Sequence, residues 1–361
     1  MILFNDFASE YKSIKNEINY AISKVLESGW FVLGKELEQF EKEFAKNLNV
    51  KYCAGVASGT DAITISLMTL NIGDGDEVIT TNLTAFPTIT GIIRSGAKPV
   101  VIDITLKDGL INYKHIEKKI NKNTKAIIPV HLYGQCCEME QINKIAKKHD
   151  LNLVEDCAQS LGSSYKSIQS GALGVMGAFS FYPTKNLGAY GDAGAIVTNS
   201  KKYYERILMI RNYGQSKKFQ HHYKGFNSRM DEIQAAILRV KLRHLKEWIE
   251  KRRQIARYFD LNLKKVKPIK EKKYNKHAYH LYVLRSANRS NLFEHLKKNN
   301  IQSMIHYPIP VNKQKAFHYQ KNENFPNTEI LVDEILSIPI HHMLKTKDVK
   351  KIVRCINEFK R

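Results

Sequence analysis

The chain has 361 residues, 43% of them hydrophobic and 25% charged, which is ordinary for a globular protein, long enough for a large core and two domains, and excludes wholesale disorder. Its formal net charge is +22, but the lysines run along the helical segments and thicken toward the C-terminus, as in KKVKPIKEKKYNK (264–276). No nucleic-acid-binding motif accompanies them, so the charge reads as a solvated surface with no nucleic-acid partner. The five cysteines are odd in number and contain no CxxC pair, which argues against a disulfide framework or a metal site and fits a reducing cytoplasm. The start, MILFNDFASEYKS, lacks a signal-peptide pattern, and no apolar run approaches the ~20 residues that cross a bilayer. A cytoplasmic protein with no membrane partner is expected.

In chain order, apolar residues at helical spacing predict helices over 12–27 and 35–48. Between them, Gly29 and Gly34 bracket an apolar tip, Trp30 to Leu33, which either the fold covers or which itself covers a ligand. From Tyr52 an alternation sets in. Strands are expected at 52–56, 77–81, 99–102, 125–130, 151–155, 178–182 and 194–198, with helical or loop segments between them. Most of these runs are continuously apolar, as strands covered on both faces must be, so the class is α/β with a mostly parallel seven-stranded sheet sandwiched by helices. After Met230 a long amphipathic pattern runs to Phe259, long enough to join two domains. Short strands (His280–Leu284 and Ser303–Tyr307) and helices (Asn291–Lys298 and Asp348–Phe359) follow. A large α/β domain over 1–245 and a smaller C-terminal α+β domain over 246–361 are therefore expected.

Four stretches of this pattern carry chemistry. SGTDAITISLMTL (58–70) follows the first strand and opens a helix, so the N–H groups of Gly59 and Thr60 would face an anion such as phosphate, although Ser58 or Thr60 could equally serve as a helix cap. In TNLTAFPTIT (81–90), Phe86 is either a core residue or a flat surface for an aromatic ring. LNLVEDCAQS places Asp156 at the end of a strand, where ligands sit in open α/β sheets. A carboxylate there can keep the ring nitrogen of a pyridine-type cofactor protonated. Gln159, three residues on, can reach a ring oxygen.

The fourth stretch is GAFSFYPTKNLGAYGDAGAIVT (177–198), where Lys185 stands between two apolar strands and is followed by Gly188, Gly191 and Gly194. Glycines let backbone and cofactor approach closely. An amine made less basic by burial can form a Schiff base and then carry a proton between two carbons. An ion pair with a neighbour such as Asp192 is the structural alternative.

The segments GTDA (59–62), TAFPT (84–88), EDCAQ (155–159), SFYPTKNLGAYGDAG (180–194), GFNSRMDEIQAAIL (225–238) and IHYPIP (305–310) resemble, in order and spacing, those of the DegT/DnrJ/StrS sugar-nucleotide aminotransferases. The resemblance covers nearly the whole chain. It implies a fold type I pyridoxal 5'-phosphate enzyme, a homodimer with shared active sites, using glutamate and a nucleotide-linked keto sugar. It also implies residue roles. Lys185 is the internal aldimine lysine, Asp156 the partner of the pyridinium nitrogen, Gln159 a contact to the ring hydroxyl and Phe86 the stacking ring. Gly59, Thr60 and Ser180 contact the cofactor phosphate, and Asn227 reaches that phosphate from the other subunit.

Tyr182, His306 and Arg229 would lie near the sugar, with His221, His222, His341 and His342 as weaker candidates. Many members read Asn-Tyr-Arg where this chain has Asn227, Ser228 and Arg229. The serine form is similar to members that aminate C3 of a dTDP-linked 3-keto-6-deoxyhexose, with C4 amination of a UDP- or dTDP-4-keto-6-deoxyhexose as the alternative. From another class, a catalytically silent regulator on the same fold stays open.

Overall fold

A computed structural model describes residues 1–320 and 322–360. Three helices lead the chain: α1 (Phe7–Ser13), α2 (Lys15–Ser28) and α3 (Lys35–Leu48). Gly29 ends α2 with a left-handed φ of 64°, a conformation that glycine adopts without penalty. The apolar tip that follows is uncovered, with Trp30 62% and Phe31 49% exposed.

The alternation then runs through β1 (Tyr52–Val56), α4 (Gly59–Thr69), β2 (Glu77–Thr81), α5 (Pro87–Arg94), β3 (Lys98–Ile102), β4 (Thr124–Ile127), α6 (Met139–Lys148) and β5 (Asn152–Asp156). A short hairpin, β6 (Ser164–Tyr165) and β7 (Ile168–Gln169), precedes β8 (Met176–Ser180), β9 (Gly194–Thr198) and α7 (Lys201–Ile210). Seven of these strands form one sheet in the order β1-β9-β8-β5-β4-β2-β3. Strands β8, β5, β4, β2 and β3 pair in parallel, and β9 is antiparallel to both of its neighbours.

Successive residues of a strand point to opposite faces, and both faces here are apolar and covered. Phe179 and Val197 pack with Leu37, Phe40 and Phe44 of α3 on one side. Ala178 and Ile196 pack with Ile63, Ile65 and Leu67 of α4 on the other. Each of the larger side chains among them, Phe179, Val197, Ile196 and their helix partners, contributes about 1.5–3 kcal/mol when fully buried, which holds the strand ends in fixed relation.

Beyond a hairpin, β10 (Gln215–Lys217) and β11 (Gln220–His221), lies α8 (Glu232–Asn262). Its Leu238, Leu245 and Ile249 belong to the core of the large sheet, whereas Ala256 and Phe259 belong to the C-terminal core. The division expected at 245/246 falls inside this helix. The C-terminal part has an antiparallel sheet of β12 (Lys267–Pro268), β14 (Tyr282–Arg285) and β15 (Ile335–Ile338), with helices α9 (Arg289–Lys298), α10 (Pro326–Glu334) and α11 (Thr346–Glu358). The remaining strand, β13 (Asn275–Lys276), pairs back onto β6.

A strand over Ser303–Tyr307 does not form. Met304 makes an isolated bridge to Ser337, and Pro308 and Pro310, which lack N–H donors, end the pairing just beyond. Among the described residues no helix is long and apolar enough to cross a membrane.

Candidate active site

The carboxyl ends of β1, β5 and β8 meet on one edge of the large sheet, where Gly194 opens β9 opposite both Val56 and Ser180. At this edge α4 begins. Ser58 caps it, its Oγ accepting the Asp61 N–H at 3.1 Å and its carbonyl the Ala62 N–H at 3.0 Å. Among the described residues the N–H groups of Gly59 and Thr60 have no acceptor, so two donors project from the positive end of the helix dipole. A Cβ on Gly59 would lie 2.6 Å from the Ser180 Cβ, and one on Gly194 would strike the Ser58 carbonyl. Both glycines are thus required by close approach of protein to protein, which brings the Ser180 hydroxyl beside the free donors. Behind them Ser228, fully buried, donates to Asp61 at 2.7 Å and accepts the Ala57 N–H at 3.1 Å. Arg94 pairs with the other oxygen of Asp61.

Asp156 closes β5 and is 4% exposed. One of its oxygens accepts from Thr88 Oγ1 at 2.8 Å and the other from the Ala158 N–H at 3.0 Å. Thr88 in turn contacts Thr84 Oγ1 at 2.8 Å. An ionised carboxylate offers about four acceptor positions, so Asp156 retains capacity for a further donor. Nearby, Gln159 accepts the Tyr133 N–H at 2.8 Å and donates to the Tyr307 hydroxyl at 2.9 Å. The Tyr133 hydroxyl donates to the His306 carbonyl at 2.7 Å.

Lys185 sits in a tight loop closed by Lys185 N–H to Tyr182 O at 2.8 Å and Ala189 N–H to Phe181 O at 2.7 Å. Gly188 folds against the Pro183 carbonyl so closely that a Cβ would strike it. From α8, buried Lys241 donates to the Gly188 carbonyl at 2.7 Å and pairs with Glu10 of α1 at 2.7 Å. Among the described residues Lys185 has no ion-pair partner, Asp192 included. The residue as a whole is half-buried, but its amine is surrounded by protein. Burial pushes the amine down to about 8, with Asp156 pulling the other way. Burial, assisted by Lys185, also pushes His306 down to about 4. Lys185, Asp156 and His306 therefore share one electrostatic neighbourhood, and at neutral pH His306 enters it uncharged.

The other expected residues are placed as follows. Phe86 caps α5, half-buried against Ile89, Val101 and Phe317, so part of the ring serves the core. Tyr182 is 52% exposed. Asn227 is exposed and bridged to Asn212, and Arg229 donates to Asn212 Oδ1 at 3.1 Å and lies over the Tyr213 ring. Through Ser228 this segment abuts the start of α4. His221 and His222 are exposed. His341 and His342 are buried, the second stacked on Trp248 at 4.1 Å.

Residues 12–357 match the DegT/DnrJ/EryC1/StrS aminotransferase family. The chain belongs to this family. It is 43% identical over 363 residues to a dTDP-3-amino-3,6-dideoxy-alpha-D-galactopyranose transaminase of Aneurinibacillus thermoaerophilus, covering 99% of each chain. It is 40% identical to a Geobacillus stearothermophilus protein called pleiotropic regulatory protein, over 99% of this chain and 98% of the other. Among solved structures, S. venezuelae DesV in complex with a ketimine intermediate superposes with a TM-score of 0.96 at 36% identity, over 99% of this chain and 98% of that one. As a DegT/DnrJ/EryC1/StrS aminotransferase the chain has the type I fold and depends on pyridoxal phosphate.

The residues present fit that cofactor. Two free N–H donors at a helix N-terminus suit a phosphate, a half-satisfied buried carboxylate suits a protonated ring nitrogen, and an unpaired amine of lowered basicity suits an aldehyde. Sequence reasoning passed over four residues of this family member's site: Thr88, Tyr133, Tyr307 and Lys241. Thr88 lies within TAFPT and Tyr307 follows His306, so proximity to a motif was a usable signal for both. Lys241, a lone lysine in the apolar run AAILRVKL, was visible only as an anomaly.

Proposed function

We propose that the protein moves an amino group from glutamate to C3 of a dTDP-linked 3-keto-6-deoxyhexose, giving a dTDP-3-amino-3,6-dideoxyhexose for surface-glycan synthesis. The observation that carries this reading is the Lys185 amine, unpaired and pushed down to about 8, in the same neighbourhood as Asp156. Bound pyridoxal phosphate supplies an electron sink. Lys185 Nζ holds and returns the proton that moves between carbons, its basicity close to working pH. Asp156, oriented by Thr88, holds the charge that pairs with the ring nitrogen, and Gln159 faces the ring oxygen. Gly59, Thr60 and Ser180 hold the phosphate, Phe86 flanks the ring, and Tyr182, His306 and Arg229 orient the sugar.

A homodimer is part of the proposal, and two features support it. Trp30 to Leu33 form an uncovered apolar tip, and Asn227 stands exposed next to buried Ser228, positioned to serve a second copy. The large cofactor-binding domain is taken as 1–245 and the small domain as 246–361, in the cytoplasm. C3 is favoured over C4 by the A. thermoaerophilus relative, whose name specifies a 3-amino sugar. A silent regulator, the reading suggested by the name of the G. stearothermophilus relative, would bind cofactor without transferring an amine.

The test offers purified protein, pyridoxal phosphate and L-glutamate a 3-keto and a 4-keto dTDP-6-deoxyhexose in parallel, with product structure read by NMR. An amine on C3, abolished in Lys185→Ala, is expected. An amine on C4 alone, or none on either sugar, overturns the reading.

A further inference from the structure

Behind Thr184, the residue before Lys185, lies a small cavity of about 70 Å³ whose lining includes Asn5, Thr184, Arg252, His280 and His306. Three observations give it chemistry. Arg252 is 5% exposed, and its Nη1 donates to the carbonyls of Ile340 at 2.6 Å, Tyr279 at 3.2 Å and His280 at 3.5 Å. Among the described residues its Nε and Nη2 have no acceptor and no carboxylate lies within ion-pair distance of it. Glu10, the acid that acts on it from farther off, is already tied to Lys241. The second observation is His280, 8% exposed, whose Nδ1 is buried without a partner. Burial, with Lys185 and Arg252 adding to it, holds this ring neutral. The third is the wall, where Phe4, Leu281, Met304 and Ile340 are apolar and lower the local dielectric, strengthening whatever charge interaction occurs inside.

A guanidinium with idle donors facing the cavity beside an unsatisfied imidazole calls for a small anionic group, since the buried, unpartnered His280 Nδ1 otherwise carries a desolvation cost. Size limits the choice. One enclosed water needs roughly 10–15 Å³, so the cavity admits a group the size of a few waters and is far too small for a sugar nucleotide. We propose that this cavity seats a carboxylate of the amino-acid donor, and of the 2-oxo acid that leaves, with Arg252 as the charge and His280 Nδ1 as the hydrogen-bonding partner. The inference rests on the aminotransferase reading given above and adds where the donor is recognised.

The test uses the cofactor-loaded full chain with 2-oxoglutarate as the probe. Its dissociation constant is measured by calorimetry, and the loss of the visible cofactor band on adding L-glutamate is recorded separately. His280→Leu should weaken 2-oxoglutarate by about tenfold or more, while the 3-keto sugar nucleotide, which takes up the amino group, still restores the band after glutamate at its wild-type concentration dependence. His280→Asn, whose amide nitrogen can occupy the Nδ1 position, should recover most of the affinity, with equal melting temperatures excluding a folding defect. Unchanged 2-oxoglutarate affinity in His280→Leu, or equal weakening of both substrates, would overturn the proposal. Calorimetric binding that follows these variants in a protein unable to aminate any keto sugar would leave the cavity assignment standing and remove the aminotransferase reading.

Discussion

Two adjacent carboxylates on β5, Glu155 and Asp156, do opposite things. Glu155 points away from the edge into a region where every acceptor position is filled. It takes the N–H groups of Gly171 at 2.9 Å, Leu173 at 2.7 Å and Gly174 at 2.6 Å, and a contact from His131 Nε2 at 2.9 Å. His131 Nδ1 accepts the Cys137 N–H at 3.2 Å, which leaves Nε2 to donate to Glu155. His131, Glu155 and Cys157 have the spacing of metal ligands, but these hydrogen bonds occupy the histidine and the carboxylate. Asp156, one residue on and facing the edge, has two donors and spare capacity. The period of two that defines a strand thus separates a saturated carboxylate, which anchors a loop, from an unsaturated one that is available to a ligand.

That contrast can be broken from either side. Asp156→Asn should lower kcat/KM by roughly 10²–10³-fold with little change in melting temperature, because the single amide oxygen can keep the Ala158 N–H while the Thr88 hydroxyl, which also accepts, turns to receive the NH₂. An equal fall in stability would show that Asp156 is structural as well. Glu155→Gln should do the reverse. It places an NH₂ against backbone donors in a region with 0% exposure, and loss of this buried network costs about 3–5 kcal/mol. Denaturant unfolding should register that loss, while activity per folded molecule stays near wild type.

Lys185 sharpens the comparison, because its unpaired amine weakens the fold at the pH where it is charged. Its folded value of about 8 lies below the ordinary 10.5, so between those values the unfolded chain binds more protons and stability rises with pH. Below pH 8 the full penalty is present. Lys185→Met should therefore stabilise the protein without added cofactor by roughly 1–3 kcal/mol at pH 7. Thermal melts from pH 7 to 10.5 should show the gap closing, and a constant gap would place the amine in solvent.

The sheet was legible because its signal is local. Most of the seven strands declare themselves as apolar runs, and the positions of Asp156 at the end of one and Lys185 in the loop after another follow from the same pattern. What was illegible depends on contacts between distant residues. Nothing around Lys241 says that it reaches the Gly188 carbonyl 53 residues away, and the Ile335–Ile338 strand is too short to stand out until Tyr282–Arg285 pairs with it. The glycine triplet after Lys185 was legible as a site of close approach, without its partners. It was expected to let backbone and cofactor approach closely, and Gly188 and Gly194 make room for the protein's own Pro183 and Ser58 carbonyls.

Thr88 gives the smallest effect and the finest test. It spans 68 residues to hold one oxygen of Asp156, and its hydroxyl also meets Thr84, so the pair sets the direction in which the carboxylate presents its free positions. Thr88→Val keeps the branched shape and removes only the hydroxyl. A hydrogen bond to a charged group contributes about 1.5–3 kcal/mol, but Asp156 keeps the Ala158 N–H, so kcat should fall by only about tenfold. KM for both substrates should hold, because neither is bound through Thr88. If KM rises while kcat holds, the threonine is part of a substrate surface and Asp156 is oriented by Ala158 alone.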